Sequence, residues 1–168
     1  MIECHVSESP LGPILYRVDG DCLTGLFFVG QKHFPKDIAS VTNARAPRIV
    51  DEAREQIREY FAGERETFSV PIRLRGTTFQ QQVWDALRQI HFGDAWTYGD
   101  LARRIGLPPG SARAVGGANG RNPVAIIVPC HRVIGGDGEL TGYAGGVDRK
   151  RSLLTLEGGR AREQLPLF

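Results

Sequence analysis

No apolar run in the 168-residue chain approaches the roughly 20 residues that a membrane helix needs. Cysteine is scarce. There are three, an odd number, which offers no disulfide framework and fits a reducing, cytoplasmic setting. The opening MIECHVSESP lacks a basic stretch followed by an apolar one, so no secretory signal is expected. No glycine fingerprint follows a strand and no phosphate loop occurs, so no cofactor is expected. Internal repeats and low-complexity tracts are also missing. What is present is ordinary globular material: 41% hydrophobic and 24% charged residues, which excludes a disordered chain. The length suits one domain, or one domain with a small added lobe.

The net charge of +2 is unevenly placed. Residues 1–74 carry 9 Lys/Arg against 11 Asp/Glu, a net −2, and residues 75–168 carry 12 against 8, a net +4. The basic excess lies in the half that also holds the motif 129-PCHRVIGG-136. Alone, that asymmetry is a weak pointer to a polyanion partner.

The first thirty residues read as a β-meander: IECHV, the turn 9-SPLGP-13, ILYRV, the turn 19-DGD-21 and CLTGLFFV. Residues 32–46 read as loop. The segment 47-PRIVDEAREQIREYFAG-63 reads as a helix, with Pro47 suited to its first turn and Gly63 ending it. The segment 66–76 is extended, and Pro71 makes it an edge or a connector. A boundary falls near Gly76. Beyond it, Thr78 is expected to cap a helix through Ile90, and 98-YGDLARRI-105 forms a short helix that Gly106 stops. Pro108, Pro109 and Gly110 then turn the chain into 111-SARAVGGAN-119. Two short helices joined by a Gly/Pro turn make a helix-turn-helix. A last helix is expected over 148–158, capped by Asp148. The fold class expected is α+β: a small amino-terminal antiparallel sheet/helix lobe, residues 1–76, and a mostly helical carboxy-terminal domain, residues 77–168, with a helix-turn-helix.

Two constellations carry chemistry. The first is the run Ala112, Arg113, Ala114, Val115, Gly116, Gly117, Ala118. Each glycine inside a helix costs about 1 kcal/mol relative to alanine. Close helix–helix packing would explain the pair; so would a helix pressed on nucleic acid with Arg113 reaching inward. Such a helix offers few base-reading side chains, so it suits sequence-independent contact in a narrow groove. The second is Cys130. The apolar run 124-VAIIV-128 before it reads as a buried strand, and Pro129 directs the chain at its end. His131 and Arg132 are placed to favour a thiolate, and the glycines that follow would line a pocket. Adjacent side chains on an extended chain point apart, so Cys130 and His131 would need a water or a bent turn to communicate. Cys4 and Cys22 lie in predicted strands and read as structural.

These motifs, in order FQQQVW, WTYGDLA, RAVGGA, NP, PCHRV, TGYAGG and LLTLEG, strongly resemble the O6-alkylguanine-DNA alkyltransferase family over residues 77–158. The amino-terminal lobe is a looser match. The resemblance implies repair of O6-alkylguanine by irreversible, single-turnover transfer of the alkyl group to Cys130, after base flipping through the minor groove. It implies that His131 draws the thiol proton through a water, that Glu157 orients the imidazole, that Asn122 braces the active-site turn, and that Tyr98 donates to the departing guanine. Arg113 is similar to the finger that fills the gap left by the flipped base, with Ala112, Ala114, Gly116 and Gly117 against the DNA. Val133, Tyr143, Ala144 and Gly145 resemble the pocket wall. The implied partner is double-stranded DNA carrying O6-alkylguanine, with O4-alkylthymine as an additional lesion, and the implied state is a monomer, with cooperative binding on DNA left open. Cys4, His5, Cys22 and His33 offer zinc-ligand types, but their spacing matches no closed pattern, and no metal is expected. Two other readings compete: a non-catalytic lesion binder working through the helix-turn-helix, and a thiol hydrolase using Cys130 and His131.

Overall fold

The structure is a computed structural model that describes residues 2–158 apart from 37, 39, 40 and 43. The tail 159–168, the end of the expected second domain, lies outside the described residues. The chain divides into two compact units, one of residues up to 75 together with 123–125, the other of residues 76–122 and those from 126 onward.

In the first unit three strands, β1 (Ile2–Ser7), β2 (Ile14–Asp19) and β3 (Cys22–Phe28), form an antiparallel sheet in the order β1-β2-β3. The register runs Ile2 opposite Asp19 and Ile14 opposite Phe28. A bulge between Arg17 and Val18 shifts the β2–β3 pairing. The expected meander is present. Ser9 builds its first turn: its backbone N–H donates to the Gly12 carbonyl at 3.1 Å and its hydroxyl to the same oxygen at 2.6 Å. Helix α1 (Arg48–Phe61) buries Ile49, Val50, Ala53, Ile57 and Tyr60 as one stripe. Pro47 stands at its N-cap rather than inside its first turn. The connector containing Pro71 bridges in parallel to β3 through Ile72 and Leu23. The Leu23 N–H donates to the Pro71 carbonyl at 2.9 Å, and the Arg73 N–H returns to Leu23 at 3.0 Å.

The second unit is mostly helical. Helix α2 (Thr78–Leu87) starts with a full capping box, but on Thr77 and not on Thr78. The Gln80 N–H donates to Thr77 Oγ1 at 3.1 Å, and the Thr77 N–H to Gln80 Oε1 at 3.0 Å. Each threonine has a glutamine three positions on, Gln80 for Thr77 and Gln81 for Thr78, so the sequence offers both, and the fold uses Thr77 with Gln80. Trp84 is buried on α2 and donates its indole N–H to the Ala118 carbonyl at 2.9 Å. A Cβ on Gly76 would stand 2.5 Å from the Trp84 ring, so the glycine makes room for it. Helix α3 (Tyr98–Arg104) has a second capping box, Thr97 with Asp100. A 3-10 turn at Pro109–Ser111 leads into α4 (Ala112–Gly120), completing the helix-turn-helix pair. Two short strands not expected from the sequence, β4 (Trp96–Thr97) and β5 (Val133–Ile134), pair in parallel.

Helix α5 (Val147–Glu157) begins one residue earlier than expected, and its N-cap is Gly146, not Asp148. Gly146 has φ 94°, a left-handed value that favours glycine and leaves Asp148 inside the first turn. The run 124–128 is not a strand. Val124 makes a single bridge to Leu26, residues 125–127 turn, and Ile126 sits at φ 71°. A β-branched residue there stores on the order of 1–3 kcal/mol of strain. Among the described residues no helix is long and apolar enough to cross a membrane.

Candidate active site

Cys130 lies on a 3-10 turn, Cys130–Arg132, which leads directly into β5. Two asparagines from the chain before it hold this turn. Asn122 donates its amide to the Val128 carbonyl at 2.7 Å, and the Cys130 backbone N–H uses the same oxygen at 2.8 Å. Asn119, on α4, donates to the Cys130 carbonyl at 3.4 Å. These bonds explain why 124–128 turns instead of extending: its terminal carbonyl is already taken by the site.

The 3-10 turn brings His131 and Arg132 onto one carboxylate, Glu157. His131 is fully buried, and its Nε2 lies 2.7 Å from Glu157 Oε2. Arg132 grips the same carboxylate, with Nε 2.8 Å from Oε1 and Nη2 3.1 Å from Oε2, while Nη1 donates to the Ile90 carbonyl at 2.6 Å. The guanidinium also stands over the Phe92 ring. Burial pushes the Glu157 carboxyl up, but His131 and Arg132 outweigh it and hold it well below the usual carboxylate range. Burial drives the His131 imidazole down, against the pull of Glu157. With Nε2–H donating to Glu157, the bare acceptor is Nδ1, which is buried without a protein partner.

The Cys130 thiol, 5% exposed, is raised chiefly by burial, and a hydrogen bond from Asn122 and the charge of Lys150 oppose that rise. Tyr98 donates its phenol to the Thr141 carbonyl at 2.9 Å, and burial raises its pKa. Tyr143 is buried, and its hydroxyl has no hydrogen-bond partner among the described residues. Val133 is buried in β5, Gly145 is buried with its carbonyl accepting from Arg149 at 3.1 Å, and Ala144 is half-buried.

On α4, Arg113, Ala114 and Gly117 are exposed, and Ala112 and Gly116 are half-buried. A Cβ on Gly116 would meet Tyr98 at 3.5 Å, an ordinary contact, while Gly117 has nothing within 4 Å. Packing among the described residues therefore does not require Gly117. Cys4 is buried with Leu15 and Phe27, and the His5 ring lies 3.2 Å from Glu3. Sequence reasoning passed over three site neighbours: Asn119, the carboxylate clamp formed by Arg132, and the buried Lys150. Arg132 carries one signal, a charge directly before the apolar pair Val133 and Ile134, whereas Lys150 is hidden in the charged run 148-DRKR-151.

A buried cysteine followed directly by a buried His–Glu pair, in the unit that carries a helix-turn-helix, is the arrangement expected of a cysteine-dependent protein that docks on nucleic acid. Comparison with known proteins specifies the kind. Residues 78–159 match the model of the 6-O-methylguanine DNA methyltransferase, DNA binding domain, and residues 2–74 that of the ribonuclease-like domain of the same enzyme. A methylated-DNA–protein-cysteine methyltransferase of Mycobacterium tuberculosis is 49% identical over 100% of this chain and 99% of its own. One from Methanosarcina acetivorans is 50% identical over 91% of this chain and 96% of its own. The crystal structure of Mycobacterium tuberculosis OGT in complex with DNA superimposes with a TM-score of 0.84 at 47% identity, covering 98% of this chain and 95% of that one. The chain belongs to the methylated-DNA–protein-cysteine methyltransferase family and is a methyltransferase of that family.

Proposed function

We propose that the protein binds double-stranded DNA and repairs O6-alkylguanine by moving the alkyl group to Cys130, once per molecule. The observation that carries the reading is the buried Glu157–His131 pair on the turn that bears the thiol. Residues 77–168 form the DNA-binding and acceptor part, and residues 1–76 the lobe that accompanies it. DNA binding is supported by the similar Mycobacterium tuberculosis protein seen in complex with DNA.

The chemistry follows from the residues. O6 of guanine is enclosed in the base stack, so the base has to leave the duplex to meet a protein nucleophile. An exposed, thin α4 with Arg113 as its long side chain suits close approach along the minor groove, with Arg113 filling the space the base leaves. The thiol proton passes through a water to the bare Nδ1 of His131, and the ionised Glu157 stabilises the imidazolium. The thiolate attacks the alkyl carbon: the S–C bond forms, the C–O6 bond breaks, and its electron pair leaves with guanine. Tyr98 swings from the Thr141 carbonyl to donate to the departing base. Val133, Tyr143, Ala144 and Gly145 form the wall around that base, with the Tyr143 hydroxyl free to meet a polar edge. The thioether formed is stable, so each molecule acts once.

Incubation with a duplex containing O6-methylguanine, followed by intact and peptide mass analysis, is expected to show Cys130 heavier by one CH2. An unmodified Cys130 after full duplex binding would sink the reading.

A further inference from the structure

The last turn of α3 carries two exposed arginines, Arg103 and Arg104, over an open cleft of about 720 Å³ that Trp96, Thr97 and Asp100 also line. None of these side chains enters the transfer step. The acceptors of the cleft are engaged within the protein. Asp100 Oδ2 accepts from the Thr97 N–H at 2.9 Å and Oδ1 from Arg103, while Thr97 Oγ1 accepts from the Asp100 N–H at 3.0 Å. Its donors are left over. Arg104 pairs with no carboxylate among the described residues. It is seated on neutral groups instead: its Nε donates to Gln89 Oε1 at 2.8 Å, and its guanidinium stands 5.7 Å from the centre of the Trp96 ring. Those seats hold the guanidinium in place without cancelling its charge, and both Nη groups remain to donate. Arginines at a helix C-terminus also serve the helix dipole, but that role needs neither an ordered seat nor a cleft. The guest that fits accepts hydrogen bonds, donates none and is negative, as a phosphate is.

We propose that Arg104, seated on Trp96 and Gln89, is a second anchor for the sugar-phosphate backbone of duplex DNA, separate from α4. The partner follows from charge and from place. Residues 75–168 carry a net +4. Helix α3 is the first of the helix-turn-helix pair, and in such pairs the first helix crosses the phosphate backbone while the second enters a groove. A phosphate contact carries no base information, which matches the sequence-independent docking of α4. It adds affinity for any duplex, damaged or not, and so keeps the protein on DNA between lesions. Arg103 contributes less, because Asp100 already offsets its charge. The inference rests on the DNA binding proposed for this chain.

The experiment titrates the full chain into a labelled, undamaged duplex at a series of salt concentrations, read by fluorescence anisotropy. Wild type is compared with Arg104→Gln, Arg104→Lys and Arg88→Gln; Arg88 is exposed and does not line the cleft. Arg104→Gln is expected to make the slope of log affinity against log salt shallower by about one, and to leave alkylation by free O6-alkylguanine at the wild-type rate. Arg104→Lys, which keeps the charge, retains the slope. A Gln variant with the wild-type slope overturns the proposal. So does an equal change in Arg88→Gln, which reduces the effect to net charge. Calorimetric titration with inorganic phosphate tests the other source of the same chemistry. Saturable phosphate binding that Arg104→Gln loses, with the duplex slope unchanged, makes the cleft a small-anion site and overturns the DNA contact. A wild type that binds no duplex overturns the DNA reading as a whole, whereas a wild type that binds with the same slope as Arg104→Gln overturns this inference alone.

Discussion

Glu157→Gln separates what the buried carboxylate does for the fold from what it does for the thiol. The side chain of Glu157 is 1% exposed and serves two partners, the His131 ring at 2.7 Å and the Arg132 guanidinium through two contacts at 2.8 and 3.1 Å. Gln keeps the shape but removes the charge, leaving Arg132 buried without its counter-ion. Breaking a buried pair in this way costs about 3–5 kcal/mol. For a chain of this length, each kcal/mol moves the melting midpoint by about 2–4 °C, so a fall of about 6–20 °C is expected. The pH dependence has a definite sign. The folded Glu157 pKa lies below its ordinary value, so its contribution is complete above the unfolded pKa of about 4.3 and is lost as pH falls through the folded value. The stability gap between wild type and Glu157→Gln should therefore be constant at neutral pH and shrink as the medium is acidified below about pH 4.3. Urea unfolding at several pH values measures both. Adding Arg132→Met to Glu157→Gln removes the stranded cation, so stability should recover in part while Cys130 alkylation stays slow. A Glu157→Gln protein less than about 1 kcal/mol weaker than wild type would refute the buried-pair argument. So would recovery of the alkylation rate in the double variant.

Three further outcomes are expected from helix positions. Arg113→Ala should slow methyl transfer from duplex DNA far more than from free O6-alkylguanine, since Arg113 is exposed while the thiol is buried; equal losses would remove it from base extrusion. Gly117→Ala should stabilise α4 by about 0.5–1 kcal/mol, because the added methyl meets open space, and yet should weaken duplex binding if the glycine serves close approach; denaturant unfolding and duplex titration read the two effects. Thr77→Ala should cost about 0.5–2 kcal/mol by removing one half of the α2 capping box, whereas Thr78→Ala should cost much less, as measured by thermal unfolding.

The elements most legible in the sequence are those whose signal is local. The meander strands are short apolar-rich runs set off by the turns 9-SPLGP-13 and 19-DGD-21, α1 keeps one apolar stripe, and Gly106 with Pro108 to Gly110 marks the break between α3 and α4. The apolar run 124–128 misled because burial and extension leave the same trace in a sequence. Nothing in five apolar residues announces that Asn122 and the Cys130 amide both claim the Val128 carbonyl, or that Ile126 adopts a left-handed backbone. The start of α5 was misplaced because Asp148 is a strong capping type, while Gly146 caps through backbone geometry that only the folded chain reveals. The strands β4 and β5 are two residues each, too short for any alternation to register. Glu157 lies 26 residues from His131 and on another element, so no spacing argument reaches it; it entered through resemblance to a family. Arg132 was visible as a charge beside the cysteine, but its partner is the distant carboxylate rather than the thiol.

That last point changes the electrostatics of the site. From the sequence, Arg132 was expected to favour the thiolate directly. In the structure its charge is spent on Glu157, which it holds ionised, and Glu157 in turn fixes the His131 proton on Nε2. Arg132 therefore serves the proposed proton acceptor, and its charge adds to the burial that lowers His131. An imidazole that rested as a cation would have no site for the thiol proton.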